Sequence, residues 1–332
     1  MTRTTPPTAK MQLASVDYGK AGISCYRFAA APLVVSKIPE SPFEGRGGEL
    51  FGVEVDVQVL GGPFAAAYTD GDNHNVVATD TMKNFVLKRA AEFQGSTLEA
   101  FLDFLGRAFL ATYPDMGALH LTGRELPFQA ALVPDGEGFS PSPVLFSRSR
   151  GDYAAAELIL ERSSSGVALS DHECGRLELQ LVKTTGSSFA AFARDSHTTL
   201  PEVHDRPLFI YLDVFWRYRD PAQMVADKPT HYVAAEQVRD LLAATFHAFN
   251  SRSIQHLVYE MGGRLLERFP QLAEVRFEAQ NRLWDPAFAG DDPAVQVRTD
   301  PRPPYGRIGL TLNADDPAPG NPNPASSNDA EG

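Results

Sequence analysis

The sequence predicts an α+β fold in which one succession, strand, strand, helix, helix, strand, strand, occurs twice along the chain. Three patterns carry this expectation. Apolar and polar residues alternate over residues 51–59, two apolar stripes at helical spacing follow, and the same order returns in the second half.

In the first half, Phe51, Val53, Val55, Val57 and Val59 enclose Glu54, Asp56 and Gln58, which predicts a strand with one wet face and hence an antiparallel sheet. Turn-forming residues follow over 69–73. Met82, Phe85, Val86 and Phe93 mark one helix, and Leu98, Phe101, Leu102, Leu105 and Phe109 a second. Gly95-Ser96-Thr97 separates them, with Ser96 as the expected N-cap. Strands are expected again over residues 119–128 and 143–147.

The second half repeats the plan. Leu177-Glu178-Leu179-Gln180-Leu181 and residues 208–214 alternate as strands, residues 233–249 form a helix, and Ile254, Leu257, Val258, Met261, Leu265 and Leu266 stripe another. Strands return over 274–279 and 307–312. These patterns divide the chain into a flexible start (1–12), a first unit (13–150), a second unit (151–312) and a tail (313–332). The tail is rich in Pro, Asn, Asp, Ala and Gly and is expected to be disordered. Each unit is expected to be a four-stranded antiparallel sheet with two helices on one face. The uncovered faces and edges predict a homo-oligomer in which sheets close on sheets as a ring or barrel.

Composition excludes several classes of function. A formal net charge of -12 offers no broad basic field to a polyanion, so nucleic acid is not an expected partner. Cys25 and Cys174, far apart in sequence, build neither a disulfide framework nor a thiolate metal cluster and are expected as reduced, buried thiols. The first residues lack a basic cap followed by an apolar stretch, no apolar run reaches membrane-spanning length, and Asp329-Ala330-Glu331-Gly332 is not a peroxisomal address. Cytoplasm is the expected location, with no membrane partner.

The eight histidines form no helical pair and no cluster at metal-ligand spacing. His172-Glu173-Cys174 comes nearest, with an exposed turn as the plainer alternative. Dinucleotide and phosphate loops and the Gly-x-Ser-x-Gly elbow are missing from the sequence. Three polar segments at element boundaries remain. In residues 75–84, Thr79 or Asp80 either caps a helix or stands at a helix start whose free N–H groups make an anion site. Residues 183–206 form a long polar stretch, alternatively a surface loop with Phe189 and Phe192 tucked inward and Arg194 paired with Asp195. At residues 251–256, Ser251 or Ser253 is placed to cap a helix.

Several ordered motifs, taken together, resemble the factor-independent urate oxidases, or uricases, most of all their bacillus-type members. They are Tyr18-Gly19-Lys20, Ile38-Pro39-Glu40-Ser41-Pro42-Phe43, Gly71-Asp72-Asn73 with Val76-Val77-Ala78-Thr79-Asp80-Thr81-Met82-Lys83-Asn84, and residues 189–206. Further matches are Tyr232-Val233-Ala234-Ala235-Glu236-Gln237, Ser253-Ile254-Gln255-His256-Leu257, Glu267-Arg268-Phe269-Pro270-Gln271-Leu272 and Arg302-Pro303-Pro304-Tyr305-Gly306. The similarity spans about residues 18–312. It implies tandem tunnelling-fold units, each ββααββ, in a homotetramer that forms a multi-subunit β-barrel with active sites at subunit interfaces. It also implies an enzyme, a factor-independent urate hydroxylase, that converts urate, O2 and water to 5-hydroxyisourate and hydrogen peroxide with no metal or organic cofactor.

Residue by residue, the resemblance implies that Phe189 stacks on the purine while Arg206 and Gln255 grip its polar edge, and that Ile254 contributes its backbone N–H. A guanidinium fork and an amide suit an anionic, oxygen-rich heterocycle. Thr79 and Asp80 of a neighbouring subunit would meet the opposite end of the purine. Asn281 with Thr79 would hold O2 or water over its face, and Lys20 would pass protons through the Thr79 hydroxyl. The catalytic pair is thus Lys20 and Thr79. Many members carry a histidine two positions after the matching asparagine, whereas Arg282, Leu283 and Trp284 follow Asn281 here. The alternatives are a non-catalytic purine- or pterin-binding protein of the same fold and a hydrolase or cyclohydrolase. Lys20, Thr79 and Asn281 standing beside the binding set favour the oxidase.

Overall fold

The computed structural model describes residues 13–126, 128–148, 151–226, 230–292, 295–300 and 303–314. The expected flexible start, the cut at Arg150, Arg302 and residues 315–332 of the tail lie outside them.

In chain order the elements are β1 (Asp17–Phe28), β2 (Leu33–Val34), β3 (Gly45–Arg46), β4 (Leu50–Leu60), α1 (Ala65–Thr69), α2 (Thr79–Glu92), α3 (Leu98–Thr112), β5 (Ala118–Glu125), β6 (Phe128–Asp135), β7 (Gly138–Arg148) and β8 (Tyr153–Ser163). Then come β9 (Gly166–Lys183), β10 (Leu208–Tyr218), α4 (Ala222–Val225), α5 (Ala235–Ala248), α6 (Ile254–Arg268), β11 (Leu272–Arg282), β12 (Pro286–Ala289), β13 (Gln296–Arg298) and β14 (Gly306–Asn313). The described residues form two compact units, one drawn from Met1–Ile38, Pro42–Gly175 and Pro221–Ala235, the other from Pro39–Ser41, Arg176–Asp220 and Glu236–Gly332.

In the first unit, β1, β4, β5 and β8 lie side by side, each antiparallel to the next. The alternation of β4 buries Val53, Val55, Val57 and Val59 on one face. Helix α3 packs on β5 and β8 and buries Phe101, Leu102, Leu105 and Phe109. Gly106 lets the helix approach, since a Cβ there would stand 2.8 Å from Leu160 Cδ1. Truncating Leu102 to Ala would cost about 2–5 kcal/mol through lost burial and the cavity left behind.

The fourth strand of this unit is β8, not residues 143–147. Those residues belong to β7, which among the described residues pairs with β6 alone, in a separate hairpin that leaves Leu132, Phe139, Val144 and Leu145 exposed. Strand β8 instead turns Ala154, Ala156, Leu158 and Leu160 inward, and that burial decides which segment joins the sheet. Thr97, not Ser96, caps α3 by accepting the Ala100 N–H at 3.3 Å. His172 and Cys174 sit in strand β9 and are buried, so that segment is not an exposed turn. Residues 221–235 rejoin the first unit because Tyr232 and Ala234 pack with Leu33 and Val35, and Tyr232 donates a hydrogen bond to Glu99 at 3.0 Å.

In the second unit β10, β11 and β14 pair antiparallel in that order, with the end of β9 beside β10. Strand β10 buries every second residue from Leu208 through Ile210, Leu212, Val214 and Trp216 to Tyr218. Helix α6 packs on β11 and β14 through Leu257, Val258, Met261 and Leu265. Gly262 plays the part of Gly106, since a Cβ there would stand 2.6 Å from Leu312 Cδ1. Asn313, expected at the head of the tail, pairs with Glu274 as the last residue of β14.

Candidate active site

In the second unit the chain from Lys183 to Arg206 is irregular yet firmly tied. Phe189 and Val203 exchange backbone hydrogen bonds at 2.7 and 2.9 Å, and the Arg206 N–H donates to Ser187 O at 2.8 Å. The Asp205 carboxylate accepts from the Thr185 hydroxyl at 2.6 Å and the Gly186 N–H at 2.7 Å, bonds that hold it below the usual carboxylate range. Gly186 makes this turn at φ +77, a region that penalises a side chain. Buried Ser187 bridges to buried Ser251, and the Ser188 N–H donates to Ser251 O at 2.8 Å.

The Ser187–Ser251 tie fixes the loop against the start of α6. Ser253 caps that helix by accepting the His256 N–H at 3.1 Å, so Ile254 and Gln255 are its first two residues. Asn281 lies in β11, opposite Ile210 on one side and Gly306 on the other. Three remote stretches of sequence therefore meet. Phe189, Arg206, Ile254, Gln255 and Asn281 all line one cavity of about 210 Å³. Leu283 and Ile308 add apolar wall to it.

Two atoms of this lining are buried without a hydrogen-bond partner among the described residues, Arg206 Nε and Asn281 Oδ1. Buried polar atoms are nearly always paired, so two such atoms facing one cavity fit an occupant, whether ligand, ion or water, that supplies the partner. Burial also draws the Arg206 guanidinium below its ordinary value, which raises the worth of an acceptor beside it. The Arg206 guanidinium carbon lies 5.6 Å from the Phe189 ring centroid, and Phe189 stacks on Phe192 at 4.8 Å with planes 11° apart. Arg194 lies over the Phe192 ring at 5.3 Å. The wall thus offers a flat aromatic surface, a guanidinium and two amides in a small space, the equipment for a planar, polar heterocycle.

Lys20, Thr79 and Asp80 do not line this cavity. They gather in the first unit, where α2 packs on β1. Neither Thr79 nor Asp80 caps the helix. The N-cap is Ala78, which offers no side-chain oxygen, and Thr79 is the first helical residue. The Asp80 carboxylate is occupied within the helix by Lys83 and by Asn84 at 3.1 Å, and hydrogen bonding to Lys83 lowers its pKa, with a smaller contribution from the charge of Lys20. Lys20 pairs with Val57 in the sheet, immediately before a register irregularity, where the Gly22 N–H donates to Asp56 at 2.6 Å. Among the described residues no group of three or more His, Cys, Asp or Glu is arranged to hold a metal ion. No described helix is long and apolar enough to cross a membrane.

A family model described as uricase matches residues 172–309. A uricase from Halalkalicoccus jeotgali is 44% identical over 91% of this chain and 99% of its own length. The chain belongs to the uricase family. Its bacillus-type character appears in a uric acid degradation bifunctional protein of Bacillus subtilis, which is 42% identical over 91% of this chain; the chain spans 62% of that longer protein. The crystal structure of Bacillus sp. TB-90 urate oxidase superposes with a TM-score of 0.86 at 42% identity, covering 90% of this chain and 99% of that one. Two residues carry no role in the sequence reading: Leu283, which lines the cavity two positions after Asn281 and presents an aliphatic wall, and Tyr18 in the first unit, which accepts the Val77 N–H ahead of Thr79. The only sequence signal for Tyr18 was its place in the Tyr18-Gly19-Lys20 motif.

Proposed function

We propose that this uricase oxidises urate with O2 and water to 5-hydroxyisourate and hydrogen peroxide, without a metal or organic cofactor. The observation that carries the reading is the cavity in which Arg206 Nε and Asn281 Oδ1 stand unpaired among the described residues beside the Phe189 ring. Urate is flat, anionic and edged with alternating donors and acceptors. Phe189 offers a stacking face, Arg206 donors to carbonyl oxygens, and Gln255 an amide that both donates and accepts. Ile254, at the N-terminus of α6, contributes a backbone N–H, and Asn281 holds O2 or water above the ring.

In this reading Thr79 and Asp80 reach the same purine from a neighbouring subunit. Ala78 leaves the start of α2 without a side-chain cap, and the Asp80 carboxylate is held by Lys83 and Asn84. The Asp80 backbone N–H is then the group that meets the substrate. Lys20 takes protons through the Thr79 hydroxyl and keeps urate electron-rich. Two electrons and two protons pass from urate to O2, giving hydrogen peroxide, and water adds its oxygen at C5 of the oxidised purine. Holding O2, water and urate in one pocket removes most of the entropic cost of their meeting.

This shared site requires the chain to assemble, and a homotetramer of tandem tunnelling-fold units closing into a β-barrel is the assembly proposed. A crystal structure with a bound, non-oxidisable purine tests the arrangement. Two chains around one purine, with Arg206 and Gln255 from one and Thr79 and Asp80 from the other, is the expected result. A purine held by one chain alone would overturn it.

A further inference from the structure

We infer that Tyr18 is the positioning residue that sets Thr79 and Asp80 in place, acting through the backbone of Val77. The inference rests on the relay role proposed for Thr79. Helix starts are ordinarily held by a Ser, Thr, Asp or Asn cap, and α2 has none, since Ala78 stands at its N-cap. Residues 70–75 ahead of it are exposed and held by local turns, with the Val76 N–H donating to Asn73 O at 3.0 Å and the His74 N–H to Asp72 at 3.0 Å. The bond that fastens this segment to the sheet runs from the Val77 N–H to Tyr18 Oη at 2.8 Å.

Tyr18 is itself well fixed. Its ring meets that of Phe64 edge-on at 4.6 Å, and Phe64 is 1% exposed. Burial pushes the phenol above its ordinary pKa, so the hydroxyl stays neutral and keeps both its acceptor and its donor capacity. Tyr18 and Lys20 are two positions apart in β1, in unbroken register with Val59 and Val57, and therefore project to the same side of the sheet. One short stretch of strand thus carries both the amine of the relay and the anchor for the hydroxyl it serves. A displacement of about 1 Å at a reacting group is enough to cost a large factor in rate, and the Tyr18 bond is placed to prevent it.

The test is Tyr18→Phe, which keeps the ring on Phe64 and deletes only the oxygen. The expected result is a fall in kcat of about tenfold or more, with KM and the affinity for a non-oxidisable purine within about twofold of the parent. Amide exchange in a peptide covering residues 76–80 should accelerate. Tyr68→Phe serves as the control, since Tyr68 donates to Asp17 O at 2.6 Å, away from Val77, and should leave kcat unchanged. An unchanged kcat in Tyr18→Phe overturns the inference, as does a joint loss of turnover and purine affinity, which marks general loosening. Thr79→Ala is measured beside it. If Thr79→Ala retains full turnover, the relay reading fails and this inference with it; if Thr79→Ala collapses while Tyr18→Phe does not, this inference alone is wrong.

Discussion

The guanidinium carbon of Arg206 lies 5.6 Å from the ring centroid of Phe189, and Nε of the same guanidinium is buried without a partner among the described residues. Stacking surface and donor are thus held together before any ligand arrives. Arg206→Ala is expected to weaken binding of a non-oxidisable purine about 10- to 100-fold, the range for a lost charge-assisted hydrogen bond. Arg206→Lys should not restore it, because an ammonium lacks the planar fork. Titration calorimetry reads both, and unchanged affinity in Arg206→Ala would remove this residue from the clamp.

Thr79 is expected to behave in the opposite way. Thr79→Ala should lower kcat by about 100-fold or more, the scale of general acid–base assistance, and change purine affinity little. Equal losses of turnover and affinity would contradict a relay role. A pocket shared between subunits has a sharper consequence. At urate concentrations well below the KM of Arg206→Ala, subunits carrying Thr79→Ala refolded together with subunits carrying Arg206→Ala should show more activity than either variant alone. Random mixing makes about a quarter of the pockets intact when each draws from two chains. No recovery in verified mixed oligomers would mean that each chain supplies its own Thr79.

Glu99 predicts a pH effect on stability separate from the site. It is buried, accepts a hydrogen bond from Tyr232 at 3.0 Å, and burial pushes its carboxyl from an ordinary 4.5 up to about 7. Between pH 4.5 and about 7 the folded chain holds a proton that the unfolded chain releases. The contribution of Glu99 is therefore fully present below the unfolded value, is lost as pH rises through that window, and is level above it. Glu99→Gln keeps an acceptor for Tyr232 and carries no proton to lose. Its Tm relative to the parent should rise between pH 5 and pH 8, and a constant difference across that range would show that Glu99 does not titrate in the folded chain.

Where one face of an element is buried, its periodicity announced it. The alternation of Val53, Val55, Val57 and Val59 and the stripe of Leu257, Val258, Met261 and Leu265 both mark surfaces that the structure buries. Local composition misled where burial depends on partners elsewhere. Residues 143–147 look strand-like and are a strand, but they belong to an exposed hairpin, while Ala154 to Leu160 fill the sheet. Ser96 and Thr97 are equivalent as caps by composition, and only the turn geometry chooses Thr97. At Thr79 and Asp80 the residue types allow capping, and the structure gives the N-cap position to Ala78.

The meeting of Phe189, Arg206, Ile254, Gln255 and Asn281 was legible only through resemblance, because no local pattern joins a loop, a helix start and a strand across 92 positions (189 to 281). Tyr18 stayed hidden for the same reason. Its partner is a backbone N–H, and backbone groups leave no trace in the sequence.

Urate loss itself decides whether this cavity oxidises the purine it binds. Purified protein is mixed with urate in aerated buffer, and the near-ultraviolet absorbance of urate is followed with and without a strong metal chelator, alongside O2 uptake and peroxide. The expected result is decay with one O2 consumed and one peroxide formed per urate, at the same rate in both samples. Absence of decay would contradict urate oxidation, and decay abolished by the chelator would contradict a reaction carried by Lys20, Thr79 and the purine clamp alone.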